Sequence, residues 1–200
     1  ELTALTAAQA LTFTDALYLV QARAEAMAQC AAQQPGAMLA VIGLSPEKIA
    51  EVCRQTGVVA ANLNAPEQVV LSGSVQGIEQ AGPAAKALGA KRAVRLEVSG
   101  AFHSPLMQPA AEAIRSALEK VTISLPRFPV VSNVTARPVQ GSQDIRGLLA
   151  RQIVSPVEWE ASMRWMVREG AAMCVEFPPA RVLSGLLRRI EPSVKCVPVD

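Results

Sequence analysis

The sequence predicts an α/β protein of two lobes, a parallel-sheet lobe carrying a smaller inserted lobe of ferredoxin-like, βαββαβ order. Three observations predict it. Half of the 200 residues are hydrophobic and 18% are charged, the balance of a folded globular chain. Between residues 37 and 98, strand-like and helical runs follow one another in the order βαββαβ. Outside that stretch, helical segments alternate with short apolar runs that lack period-two alternation, as strands covered on both faces do.

The elements are justified in chain order. "ELTALTAAQALTFTDAL" is helix-like from Glu1, so the chain is expected to begin inside an element. A second helix is expected to open at Thr14 as its cap and to stop at Pro35-Gly36. "AMLAVIGL" reads as a strand. "SPEKIAEVCRQTG" reads as a helix with Ser45 as cap, Pro46 at its first position and Gly57 as terminator. "VVAANLN" and "QVVLSG" are two strands joined by a turn at Asn64-Ala65-Pro66. "SVQGIEQAGPAAKALG" is a helix, bent near Pro83. "RAVRLEV" alternates charged and apolar residues, as a half-exposed strand does. These segments make the inserted lobe, residues 37–98, and residues 1–36 and 99–200 make the larger one. There, "SPLMQPAAEAIRSALEKV", "SQDIRGLLARQI", "PVEWEASMRWMVREG" and "ARVLSGLLRRI" are helices. "FPVVSNV" and "AMCVEF" read as buried strands, and "VKCVPVD" as strand-like.

Bulk numbers exclude several functions. A net charge of +2 does not suggest nucleic acid as a partner. No apolar run approaches the roughly 18 residues a bilayer span needs. The first residues lack the basic start and cleavage site of a signal peptide, so the expected location is cytoplasmic. Cys30, Cys53, Cys174 and Cys196 are scattered without a CxxC, which reads as reduced thiols and no zinc site. A single histidine argues against a metal centre.

Two residues carry candidate chemistry. On the helix through residues 15–33, Ala16, Leu19, Val20 and Met27 form an apolar stripe with Arg23 in its middle. A guanidinium there must be paired, because an unpaired buried charge costs several kcal/mol. It is either a structural ion pair or a fork for a ligand carboxylate. His103, the only histidine, lies in "GAFHSPLM" between a strand and a helix. Ser104 and Pro105 suit a helix start, whose dipole would keep the ring neutral and able to accept a proton. The alternative is a histidine that only satisfies backbone groups.

Several segments agree in order and spacing with one family. "ARAEAM", "ANLNAPEQVVLSG", "GAKRAV", "VSGAFHSPLMQPA", "PVVSNVTARPV" and "ARQIVSPVEW" together resemble malonyl-CoA:acyl-carrier-protein transacylases, from Glu1 almost to Asp200. Polyketide synthase acyltransferase domains are closely similar. The resemblance implies an α/β-hydrolase-like lobe with an inserted ferredoxin-like lobe. It implies transfer of a malonyl group from malonyl-CoA to acyl carrier protein without a cofactor. The family nucleophile is the serine of a Gly-His-Ser-Leu-Gly-Glu elbow whose last residue matches Glu1, so that serine would lie upstream. Ser72, Ser74, Ser99 and Ser104 lie in no GxSxG turn and are not convincing replacements.

By the same resemblance, His103 matches the catalytic base, and Gln152 the glutamine whose main-chain carbonyl orients it. Arg23 matches the clamp for the malonyl carboxylate. Met27 would line the acyl pocket, and Asn64 would stand at the mouth of the site. Phe102 is the residue type that goes with malonyl rather than methylmalonyl units; one methylene is worth about 1–3 kcal/mol in a pocket. Lys86, Lys91, Arg92, Arg188 and Arg189 are candidate contacts for an acidic carrier protein. One motif departs from the family: "EFPPAR" replaces Glu-x-Gly-Pro-Gly-Lys, with Pro178 and Ala180 in place of glycines. A different class of reading is a non-catalytic, carrier-binding chain.

Overall fold

The computed structural model describes residues 1–177 and 182–199. Helix α1 (Leu2–Ala7) has Glu1 at its N-cap position. Gln9, at φ 58°, turns the chain. Helix α2 (Phe13–Gln33) comes next, and its cap is Thr12 rather than Thr14, because the Thr12 hydroxyl reaches the Asp15 N–H at 3.0 Å.

The inserted lobe is an antiparallel sheet in the order β2-β3-β1-β4. Its strands are β1 (Gly36–Ile42), β2 (Val59–Ala65), β3 (Gln68–Ser74) and β4 (Arg92–Arg95). The β2–β3 turn is Pro66-Glu67, one residue later than expected, with Ala65 pairing Gln68 and Glu67 taking a positive φ of 56°. Helix α3 (Pro46–Thr56) ends on Gly57 at φ 70°, and α4 (Val75–Ala87) is capped by Ser74 and continues through Pro83. Both helices cover one sheet face, where Leu39, Val41, Val69 and Leu71 meet Ile49, Val52 and Ile78. The other face presents Met38, Ala61 and Val70, and Phe102 packs against it.

The larger lobe centres on α2, α5 (Gln108–Leu118) and α6 (Ser142–Gln152). A third cluster joins α7 (Trp159–Arg168) and α8 (Leu183–Ile190) to the end of β2 and to the parallel pair β5 (Met173–Glu176) and β6 (Lys195–Pro198). The fold is thus α/β with both antiparallel and parallel pairing. No described helix is long and apolar enough to cross a membrane.

Three expectations are corrected. "FPVVSNV" is not a sheet strand. Val130 and Ser132 are buried, but the segment folds back on itself through Val139 N–H to Val130 O at 3.0 Å and Ser132 N–H to Arg137 O at 2.9 Å. Strand β5 is not covered on both faces: Cys174 and Glu176 face α7 and α8, while Met173 and Val175 are exposed. Val20 does not belong to the buried stripe of α2; it is exposed, and Leu19, Met27 and Cys30 carry that stripe instead.

Candidate active site

The site forms where α2, the loop before α5 and the end of α6 converge. The loop is drawn against α2 by close packing: a Cβ on Gly100 would lie 2.7 Å from the Ala31 Cβ. The thiol of Cys30 donates to Leu106 O at 3.1 Å. Ser104 is buried and fixes the turn by donating to Ala101 O at 2.6 Å and accepting from Leu106 N–H at 3.3 Å. That role uses its hydroxyl structurally. Only a 3-10 turn, Pro105–Met107, separates Ser104 from the start of α5. His103 itself sits at φ 57°, in the left-handed region that few non-glycine residues occupy.

The imidazole Nδ1 lies 3.0 Å from the Gln152 carbonyl oxygen. A carbonyl only accepts, so this contact favours the tautomer with the proton on Nδ1, the form whose Nε2 can take a proton. Burial lowers the His103 pKa, and the Arg23 charge lowers it further; hydrogen bonds to the backbone of Gln152 and Ser155 act against both. Desolvation is thus the largest of these effects, and it favours the neutral ring. The helix start expected directly after His103 is a 3-10 turn, which sets α5 one turn further along the chain.

Arg23 stands one helix over. Its Nη2 donates to the Gln152 side-chain Oε1 at 3.1 Å. Among the described residues no carboxylate lies within ion-pair distance of it. Burial lowers its pKa, and the Glu1 carboxylate opposes that shift from a distance. Glu1 is itself engaged, accepting from Asn133 N–H at 2.7 Å. The inward arginine is thus held by a neutral amide, which leaves its charge uncompensated at short range.

Two hollows meet at Arg23. One, about 330 Å³, is lined by Arg23, Met27, Ser99, Phe102 and His103. The other, about 350 Å³, runs past Arg23, Gln152, Asn133 and Glu1. Five of the six residues singled out from the sequence therefore come together. Phe102 packs against the cores of both lobes and so sits on their seam. Asn64 does not line these hollows; it is the extra residue of a β-bulge in β2. Asn62, two residues earlier, lies closer to the seam, because its backbone bridges to Val157 just beyond Gln152. Asn133 and Glu1 were missed as lining residues, since nothing in their local pattern marks them. Ser99 lines the cleft, but its hydroxyl makes no hydrogen bond to His103.

The other candidates are scattered. Lys91 lies 3.8 Å from Glu67, with both side chains well exposed. Arg189 is committed to Gln68 Oε1 at 2.7 Å and to Pro66 O at 3.2 Å, which ties α8 to the β2–β3 turn. Pro178 and Ala180 fall outside the described residues. Glu176 is placed: its carboxylate accepts from Leu183 and Ser184 N–H at 2.7 and 2.9 Å, at the start of α8.

Arg23 and His103 thus line one cleft beside the seam of the two lobes. The chain belongs to the acyl transferase domain family, which matches residues 1–195. It is 41% identical over 205 residues to the malonyl CoA-acyl carrier protein transacylase of Bacillus subtilis, covering all of this chain and 65% of that protein. It superposes on the acyl carrier protein S-malonyltransferase of Vibrio cholerae with a TM-score of 0.96 at 36% identity, covering 100% of this chain and 67% of that one. A second similar structure is a type II polyketide acyl carrier protein in complex with its malonyl-transacylase, with a TM-score of 0.94, 37% identity, and coverage of 99% and 65%. The chain spans about 65% of the length of the first of these relatives.

Proposed function

We propose that this chain forms the body of a malonyl transferase, moving a malonyl group from malonyl-CoA to the phosphopantetheine thiol of an acyl carrier protein. The observation that carries the reading is that one cleft joins His103, whose Nδ1 lies against the Gln152 carbonyl, to Arg23, which is positive and has no carboxylate partner among the described residues. His103 removes the proton from a serine hydroxyl, and by family resemblance that serine stands three positions before Glu1. The serine oxygen attacks the malonyl thioester, backbone donors hold the tetrahedral oxyanion, and the imidazolium returns its proton to departing coenzyme A. The carrier thiol then attacks the malonyl-serine, with His103 again as base. The carbonyl of Gln152 takes the orienting place that an aspartate holds in a Ser-His-Asp triad. Arg23 pairs with the malonyl carboxylate, and Met27 and Phe102 wall the acyl pocket. The reaction needs no cofactor, because coenzyme A arrives as part of the substrate, and we place it in the cytoplasm. The solved polyketide carrier complex favours one second reading, that the malonyl unit is delivered to a polyketide carrier.

The test uses the protein as encoded, upstream sequence included. Incubation with malonyl-CoA is expected to add one malonyl group, detected by intact mass. Arg23→Ala is expected to lower kcat/KM for malonyl-CoA about 10- to 100-fold, the range of a lost charged hydrogen bond, and to leave acetyl-CoA within a few-fold. An equal loss on both thioesters would overturn the role of Arg23.

A further inference from the structure

Gln152 contacts His103 twice, and the two contacts ask for different protons. Its main-chain carbonyl lies 3.0 Å from Nδ1 and its side-chain Nε2 lies 3.3 Å from the same atom. The carbonyl is an acceptor and selects the tautomer with hydrogen on Nδ1. The amide nitrogen is a donor and selects the tautomer with hydrogen on Nε2. Only the first tautomer leaves Nε2 able to take a proton.

The amide cannot escape the conflict by turning over. The Arg23 guanidinium has donors only, so it must face the amide oxygen, and the observed contact is Nη2 to Oε1 at 3.1 Å. That contact points the amide NH2 at the imidazole. Gln152 is nearly buried, so water offers the amide little alternative.

We propose that the Gln152 side chain is a positioning residue that relays occupancy of Arg23 to the tautomer of His103. Without an acyl carboxylate, Arg23 holds the amide against Nδ1 and part of the enzyme carries the proton on the wrong nitrogen. A carboxylate bound at Arg23 takes over the guanidinium donors and frees the amide to turn away. The main-chain carbonyl alone then sets the tautomer, and the base becomes competent. Selectivity for an acid-tailed acyl group thereby enters kcat as well as binding. This inference rests on the reading of Arg23 as the carboxylate clamp.

The test is 15N NMR of histidine-labelled protein as encoded, with His103 assigned by difference against His103→Asn. The probe is malonate, with acetate as control, and malonate binding is measured separately by calorimetry. In the wild type, malonate is expected to shift His103 to the Nδ1–H form, and acetate to leave it mixed. In Gln152→Leu, the Nδ1–H form is expected with either ligand and with none. Gln152→Glu, which has only acceptor oxygens, is expected to show the same form while weakening malonate binding at least tenfold, and it covers the case that the leucine variant folds poorly. In turnover, Gln152→Leu is expected to raise kcat for acetyl relative to malonyl about fivefold, the effect of one ordinary hydrogen bond. A merely structural role predicts no such gain. Malonate binding with an unchanged tautomer overturns the relay alone; failure of malonate to bind overturns the Arg23 reading as well.

Discussion

At the residue scale, His103 shows how a site sets a base with very few groups. Its backbone sits at φ 57°, which costs energy that the Ser104 turn and the Cys30 contact must hold in place. Its ring is held through one carbonyl, and its pKa is pushed below the ordinary 6.5, first by burial. The consequence for rate is that the acid limb of the kcat/KM profile for malonyl-CoA should fall below pH 6.5, and that Arg23→Met should move it upward. The consequence for stability has its own sign. A base whose folded pKa is lowered binds fewer protons than the unfolded chain just below 6.5, so the His103 contribution destabilises the fold as pH falls from about 6.5. Denaturant midpoints of wild type and His103→Asn between pH 5 and 8 would check this; parallel curves would contradict it. His103→Asn should also cost about 10²–10⁴ in rate.

At the element scale, the site depends on how closely the His103 loop lies on α2. A Cβ on Gly100 would meet the rigid Ala31 Cβ at 2.7 Å and the Phe102 ring at 3.4 Å. Gly100→Ala should therefore lose about 1–3 kcal/mol of stability by overpacking and should reduce kcat by displacing His103; wild-type thermal and kinetic behaviour would show that the loop has slack. A second junction is Glu176 at the start of α8. Burial would raise its pKa, but hydrogen bonds from the Ser184 backbone and hydroxyl and from the Leu183 and Val182 backbones outweigh it and hold the carboxyl below its usual range. Its contribution is present above the unfolded value of 4.5 and is lost as pH falls through the lower folded value. Glu176→Gln should accordingly lower the melting temperature at pH 7 and narrow the gap to wild type on acidification, as calorimetry would show. Elements also show where pattern reading failed. Burial at Val130 and Ser132 was legible, but a short apolar run does not say whether its backbone bonds go to a sheet or, as here, to its own turn.

At the scale of the whole molecule, the described residues join the lobes at the Phe102 seam, the Asn62–Val157 bridge, the packing of α7 and α8 on Ala65 of β2, and the α8 contact at the β2–β3 turn. Arg189 is consumed by that last junction, whereas Lys91 and Arg92 are exposed where β4 begins. Reversing both to Glu should slow transfer to carrier protein severalfold and spare hydrolysis of malonyl-CoA; the loss should shrink with added salt. Unchanged transfer at low salt would remove these residues from the docking surface.

The sequence by itself determined the features that depend on local period and local chemistry. The βαββαβ order, the cap at Ser45, the stop at Gly57, and the two odd residues, an inward arginine and a lone histidine between a strand and a helix, were all legible there. Tertiary structure decided the features that depend on approach between distant segments. It brought Gln152 within 3.1 Å of Arg23 and within 3.0 Å of His103, across 129 and 49 residues of chain. It also buried the imidazole, which lowers its pKa. The physical reason is that hydrogen bonds and desolvation act over a few ångströms in space, while sequence patterns report only neighbours along one chain.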